Sequence, residues 1–402
     1  MSDMAADTTS TAGPAAAESR RVAIYRTQIL PLSETFVRDQ ALALQRWHAV
    51  LVGEREVKAL PIDGVPVRTA FSGPATFGQR AAGLLFRRFG LAPPRMTAVM
   101  RGAAPSLIHA HFGFDGVEAW PIARRLGLPL LVTLHGSDIT IRMEWFARGR
   151  AGRRWQGYPA RLAKMAGAEG VTFIAISENI REAAIAAGLP DSRIVVLPIG
   201  IDRSRFVPGS IPVAQRRPTI LFLGRLVEKK GCIHLLEAFE RVRAQLPQAE
   251  LIVGGDGPER ARLARRAASI GGVRFVGAFT RDLATTLLAE ARVFCLPSIT
   301  AASGDAEGLP LVILEAQATG VPVVTSARGG ATEGIQDGVT GYAFGEGDVA
   351  ALTERLMALL TDDALAAQFS AAAPPFIAEH HDLYRQTARL EALYDRVAGA
   401  QV

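Results

Sequence analysis

From residue 21 onward, short and nearly unbroken apolar runs alternate with stretches in which apolar residues recur every three or four positions. The runs RVAIYRT, HAVLVG, SLIHAHF, PLLVTLH, VTFIAIS and RIVVLPIG fill residues 21–200 and read as buried strands. Stretches such as 33–46 and 177–187 lie between them and read as amphipathic helices. Residues 201–218, IDRSRFVPGSIPVAQRRP, break the pattern with proline and arginine and read as a linker. A second series follows: TILFLGRL, AELIVGGDG, VRFVGAF, RVFCLPS and VPVVTS. Apolar strands separated by helices predict parallel sheets covered on both faces. The expected fold class is α/β, with two doubly wound domains, 20–200 and 219–375, facing each other across a cleft. Residues 376–402 are expected to form a helical segment that packs back on the first domain.

Open parallel sheets bind ligands beyond the carboxyl ends of their strands. In the second domain those positions are 224–225, 254–257, 277–281, 297–308 and 326–330. In the first they include His109, His111 and 135–138. Two of these places carry unusual chemistry. In GRLVEKKG, Arg225 and Lys230 stand between a strand and a helix start, where cations and free N–H groups suit a diphosphate. In DAEGLPLVILEAQATGVPVV, residues 305–324, Glu307 precedes a helix that Pro310 opens, and Glu315 lies inside it. Six helical residues advance about 9 Å, similar to the span of a diphosphate. One carboxylate can then meet a sugar hydroxyl and the other a ribose hydroxyl, with the N–H groups of Gly308 and Leu309 facing the phosphate between them. A hydrolytic acid/base pair needs carboxylates flanking a bond, which one helix does not provide. The bland alternatives are loop cations, a helix-start charge at Glu307 and a structural hydrogen bond at Glu315.

Composition changes the picture in three ways. At 402 residues the chain is too long for one ordinary core, and 49% hydrophobic with 21% charged residues is a globular balance. The net charge of +6 is concentrated. Segment 142–164 carries Arg142, Arg148, Arg150, Arg153, Arg154, Arg161 and Lys164 against Glu144 alone, and segment 80–101 sets five arginines around Leu84, Leu85, Phe86 and Phe89. Such segments suit an anionic membrane surface, a nucleic acid or a solvated basic face. Finally, residues 1–19 are small and polar, without a basic start or an apolar core, and read as a disordered tail. No apolar run approaches a membrane span, and the two cysteines, Cys232 and Cys295, form no disulfide framework, so a cytoplasmic setting is expected.

The sequences GRLVEKKG, VGGDGPER, VRFVGAF and EGLPLVILEAQATGVPVV, followed by GGATEGIQDGVTGY, resemble the retaining glycosyltransferases of family 4, which have the GT-B fold of two Rossmann-like domains. The E-x7-E spacing of Glu307 and Glu315 matches that family's motif. LPLSETFVRDQ, IHAHFG and TLHGSD resemble its bacterial exopolysaccharide branch, including colanic acid biosynthesis. The resemblance implies a nucleotide-diphosphate sugar donor and a saccharide acceptor on a polyprenyl diphosphate at the inner membrane. It implies that Arg225 and Lys230 hold the donor diphosphate, that Glu315 takes the ribose and that Glu307 takes the hexose. Backbone from Gly277 to Phe279 would contact the base, and His135 would face the donor sugar. The catalytic set is then Glu307, His135, Arg225 and Lys230.

The acceptor side departs from the common pattern. The loop RTQILPLSETF has no glycine pair, so Ser33, Glu34 and Thr35 either cap a helix or meet phosphate or acceptor. His109 and His111 share a strand face; they lack a third metal ligand nearby, and His111 is the better acceptor contact. No D-x-D occurs, which points to metal independence, with fixed cations neutralising the leaving group. On this reading, losing Lys230 slows transfer and spares stability. Rival readings are a GT-B sugar-nucleotide epimerase, a non-catalytic sugar-nucleotide binder and a nucleic-acid binder. A dehydrogenase lacks its G-x-G-x-x-G after the first strand. Nucleic acid is not an expected partner, and peripheral membrane attachment is.

Overall fold

The computed structural model describes residues 20–29, 31, 34–56, 61–326 and 329–399. The tail at 1–19 and Ser33 lie outside them. The first domain holds seven parallel strands: β1 (Arg21–Ile29), β2 (His48–Glu56), β3 (Val67–Thr69), β4 (Leu107–His111), β5 (Leu130–Leu134), β6 (Val171–Ala175) and β7 (Ile194–Val196). Their order across the sheet is 3-2-1-4-5-6-7. The second domain holds six: β8 (Thr219–Leu223), β9 (Glu250–Gly254), β10 (Val273–Gly277), β11 (Val293–Leu296), β12 (Val323–Ser326) and β13 (Gly341–Phe344), in the order 10-9-8-11-12-13. In both sheets the direction of winding reverses beside the first strand, between β1 and β4 and between β8 and β11. Those two reversals are where an open α/β sheet leaves a crevice for a ligand.

Strands β4, β5 and β8 are buried at every position, as two-sided helix cover requires. The short edge strands β3 and β13 were not among the strands expected from sequence. β3 is mostly exposed and β13 is flanked by glycine and polar residues, so neither forms a continuous apolar run. A second difference lies near the C-terminus. The expected helix start at 376 falls inside a helix, Asp363–His380, which runs through Pro374 and Pro375. Its buried stripe of Ala366, Phe369, Ala373 and Ile377 outweighs the lost donors. The chain breaks after it, where Ile201 pairs with Asp382. The final helix, Leu383–Gly399, then lays Leu390, Leu393 and Tyr394 against Val22, Ile24 and Leu107 of the first domain.

Direct contacts join the domains. Leu309, Leu314 and Ala318 of the second domain belong to the first domain's core. Glu333 accepts from the N–H groups of Glu178 (2.8 Å) and Asn179 (3.0 Å), so a residue of one domain caps a helix of the other. Asp39 on the helix Thr35–Leu42 pairs with Arg281 across the cleft at 3.0 Å. The two crevices therefore face each other at close range.

The two basic segments differ. In 142–164 the residues Phe146, Tyr158 and Leu162 are buried core, and the arginines surround them. In 80–101 the helix Phe77–Phe89 has no buried residue, and Phe77 (88% exposed), Leu84, Leu85 and Phe89 (67%) face outward.

Candidate functional site

The second domain's crevice is built by glycines that let loops touch. Gly231 has φ +62°, and a Cβ there would collide with the carbonyl oxygen of Pro297. That contact holds the loop after β8 against the end of β11. It places Lys230 Nζ 2.9 Å from Glu307 Oε1, and Ser298 Oγ donates to the same oxygen at 3.1 Å. Beside them Lys229 Nζ lies 3.0 Å from Asp305 Oδ1. Burial works to raise the Glu307 carboxyl, but Lys230, Lys229 and the hydrogen bonds from Lys230 and Ser298 outweigh it. Glu307 is thus held ionised, below the usual range. Gly308 lies against the His135 carbonyl, with no room for a side chain, and its own carbonyl accepts from Ser177 Oγ at 3.0 Å. The N–H groups of Gly308 and Leu309 have no hydrogen-bond partner among the described residues. Arg225 is exposed and makes no ion pair among them.

Glu315 sits on the helix Leu311–Ala318. Burial pushes its carboxyl up to about 7; Arg281 opposes the rise and Asp39 adds to it. Arg281 is itself taken by Asp39, so the carboxyl lacks a dedicated cation.

The first domain's crevice centres on Arg26, near the end of β1. Its guanidinium holds both oxygens of Glu34, donates to the His111 carbonyl at 2.6 Å and pairs with Asp115, which also accepts from Thr27. All five residues are buried. The guanidinium lies 4.7 Å over the Phe112 ring. Phe112 adopts φ +70°, a conformation that costs a non-glycine residue about 1–3 kcal/mol, and it does so at the end of β4. Its ring packs 4.4 Å from that of His135, with Phe36 at 4.8 Å on His135 as well. His135 Nε2 is 3.1 Å from His111 Nδ1. Burial, then the charges of Arg26 and His109, hold His135 well below the usual histidine range, so its imidazole is neutral at neutral pH. Behind it, His109 bridges Tyr394 (2.6 Å) and Thr133 (2.7 Å), and burial takes its pKa to about 3. Asp138 fixes the turn after β5 by accepting from the N–H groups of His135 (3.1 Å), Gly136 (2.8 Å) and Gly113 (2.7 Å).

Two crevices facing each other, one rich in unpaired donors, fit a transfer between two bound groups, and sequence comparison agrees. The family model described as Glycosyltransferase Family 4 matches residues 33–205, and that described as Glycosyl transferases group 1 matches residues 206–375. A GDP-mannose-dependent alpha-(1-6)-phosphatidylinositol monomannoside mannosyltransferase from Mycolicibacterium smegmatis is 33% identical over 287 residues, covering 68% of this chain and 72% of that one. The chain belongs to the family 4 glycosyltransferases. The amylovoran biosynthesis glycosyltransferase AmsK of Erwinia amylovora is 30% identical over 75% of this chain and 73% of its own. A putative colanic acid biosynthesis glycosyltransferase, WcaL of Escherichia coli K12, is also 30% identical, over 62% of this chain and 60% of its own. Among solved structures, Anabaena Alr3699/HepE in complex with UDP matches with a TM-score of 0.74 at 20% identity, covering 94% of this chain and all of that one. That likeness establishes the GT-B fold.

Set on this glycosyltransferase, the expected residues fall into three groups. Arg225, Lys230, Glu307, Gly308 and Leu309 lie along the second crevice, and His135 meets them from the first domain. Gly277 ends β10 with its carbonyl already taken by the Gly255 N–H at 2.7 Å, and Phe279 packs against the second core. Among the acceptor residues, Glu34 is committed to Arg26 and His111 is 1% exposed, its ring behind His135. Both side chains are nearly buried and engaged by neighbours, and Glu34 lines a cavity together with Phe112 and Ser137. Thr35 starts the helix Thr35–Leu42 and is half-buried. The diphosphate-length estimate changes. The helix begins at Leu311, not Pro310, so only five of the nine residues from Glu307 to Glu315 are helical. Arg26, Asp115 and Tyr394 were not anticipated. A cation inside an otherwise apolar strand, RVAIYRTQI, was the available signal for Arg26.

Proposed function

We propose that the protein is a retaining hexosyltransferase that moves a sugar from a nucleotide-diphosphate donor to a lipid-linked saccharide in surface polysaccharide assembly. The observation that carries this reading is the second crevice. Among the described residues Arg225 makes no ion pair, Lys230 is held at Glu307, and the N–H groups of Gly308 and Leu309 have no partner. A diphosphate entering there supplies the acceptors those donors lack. Lys230 then divides its charge between Glu307 and the leaving phosphate, and Arg225 adds a planar fork. As the glycosidic bond breaks, charge grows on the diphosphate, and these fixed donors stabilise it. Glu307, already ionised, accepts from hexose hydroxyls, and Glu315 accepts from the ribose. The neutral imidazole of His135 meets the sugar as a hydrogen-bonding group. The departing phosphate takes the proton of the acceptor hydroxyl on the same face, which preserves the anomeric configuration.

The named donors of relatives and neighbours differ, GDP-mannose in one and UDP in another, and a nucleoside diphosphate is their shared chemistry. Cations and N–H groups at the diphosphate support metal independence, as does the absence of D-x-D from the sequence. Among the described residues no helix is long and apolar enough to cross a membrane. Attachment at the inner face of an anionic membrane through residues 80–101, with 142–164 adding charge, is part of this proposal. The test is transfer from UDP- and GDP-hexoses to a prenyl-diphosphate-linked sugar, with chelator and with added Mg²⁺. Transfer that survives chelation is expected. Conversion of the donor without an acceptor would instead identify an epimerase, and activity restored only by metal would end the metal-free mechanism.

A further inference from the structure

A cavity of about 680 Å³ lies beside the helix Phe77–Phe89 and not at the second crevice. Its apolar wall includes Phe71, Ala82, Leu84, Phe86 and Met96, and its volume is that of a small-molecule site, about 300–1,000 Å³. Arg80, Arg95 and Arg154 line it without an ion pair among the described residues; Arg95 and Arg154 lie over Phe71 and Trp155 instead. Glu54 is the carboxylate in the wall. Burial and Glu118 raise it, while Arg87, Arg154 and Arg55 oppose the rise.

A second cavity of about 300 Å³ shares Thr27, Gln28 and Arg154 with the first and continues to Phe112 and Ser137. Phe112 touches His135. The two cavities therefore adjoin, and exposed Phe77, Leu84, Leu85, Phe89 and Leu91 lie on or just after the helix that walls the larger one. An apolar pocket with unpaired guanidiniums and an apolar rim fits an amphiphile with a strongly anionic head. A nucleic acid would leave the rim unexplained. Three free cations on one pocket favour a multiply charged diphosphate on one chain over a singly charged, two-chain phosphodiester.

We propose that the larger cavity seats the diphosphate and first isoprene units of a prenyl-diphosphate acceptor, whose sugar runs through the smaller cavity to His135. This rests on the transferase reading above and assigns its acceptor path. The test is calorimetric binding to the full chain without donor, using farnesyl diphosphate, farnesol, inorganic pyrophosphate and dihexanoyl phosphatidic acid. Farnesyl diphosphate should bind saturably, and each other probe at least about tenfold more weakly, because each lacks the chain, the second phosphate or the single-chain shape. Arg154→Glu should weaken farnesyl diphosphate about tenfold or more, and Ala82→Trp, which fills the cavity, should abolish binding. Arg80→Glu, on the exposed helix, gives the same reading should either variant fail to fold. Parental affinity in the folded variants overturns the proposal, as does equal binding of farnesol, pyrophosphate or phosphatidic acid. Nucleotide-sugar binding, read separately by thermal shift, distinguishes the two failures. Donor binding without farnesyl diphosphate binding removes only this cavity, and the reverse removes the transferase reading.

Discussion

The two crevices carry similar numbers of charges and spend them differently. Around Arg26 every guanidinium edge is occupied: Glu34 and Asp115 are both bound, and the His111 carbonyl is satisfied. Around Lys230 the account is open, since among the described residues Arg225 has no ion-pair partner and Glu315 no cation of its own. A closed buried network fixes shape, because any partner removed leaves a desolvated charge behind. An open one is free to take a ligand, because the ligand adds partners and displaces few. The first domain therefore supplies a rigid wall, with strained Phe112 and neutral His135 set on it, and the second supplies the groups that exchange partners during a reaction.

Arg26→Ala breaks the closed network most severely. It strands Glu34 and Asp115 in the interior and should cost about 3–5 kcal/mol in urea unfolding. An Arg26→Ala protein as stable as the parent would show that the first crevice is not a closed unit.

Lys230→Ala sharpens the contrast, and here the structure revises the expectation from sequence. Lys230 neutralises the buried Glu307 carboxylate, so its loss should lower the melting temperature as well as the rate. About 2–3 kcal/mol is expected, less than at Arg26 because the pair borders the cleft. Adding Glu307→Gln should recover much of the stability and none of the transfer. A single variant that melts like the parent would mean the pair is not formed in solution.

Glu315→Gln reads the open side by pH. The Glu315 pKa is raised from 4.5 to about 7, so the folded state binds this proton more tightly than the unfolded chain does. Its carboxyl therefore costs stability progressively as pH rises from about 4.5 to 7, and the cost is complete above that. Glu315→Gln should be more stable than the parent at pH 8 by about 2 kcal/mol, and nearly equal to it at pH 5. An advantage that is the same at both pH values would contradict the raised carboxyl.

Arg225→Ala should give the smallest stability change, under about 0.5 kcal/mol, since no ion pair is lost.

How much of this the sequence revealed follows the same division. The strands that are buried on both faces are continuous apolar runs, and their alternation with helices was enough to expect two doubly wound sheets. Edge strands β3 and β13 were invisible because a three- or four-residue edge needs no apolar run. On the second domain, Arg225, Lys230 and Glu307 were legible because charges that break an apolar pattern at strand ends stand out. The pairing of Lys230 with Glu307 was not, because it depends on Gly231 lying against Pro297, a contact between segments 66 residues apart in sequence. On the first domain, nothing in the sequence marks Glu34 as the partner of Arg26 or His111 as stacked behind His135. Arg26 and Asp115 are 89 residues apart, and nothing local marks them as partners.

The central claim is that the second crevice holds the donor diphosphate as its charge grows. Single-turnover transfer by Arg225→Ala tests it most directly, with unfolding of the free protein measured beside it, because this cation has no ion-pair partner among the described residues to confuse the result. The expected outcome is an unchanged melting temperature and transfer slowed about a hundredfold, the cost of one transition-state contact of about 3 kcal/mol. Transfer at the parental rate would make Arg225 an ordinary loop charge and would contradict the donor site described above.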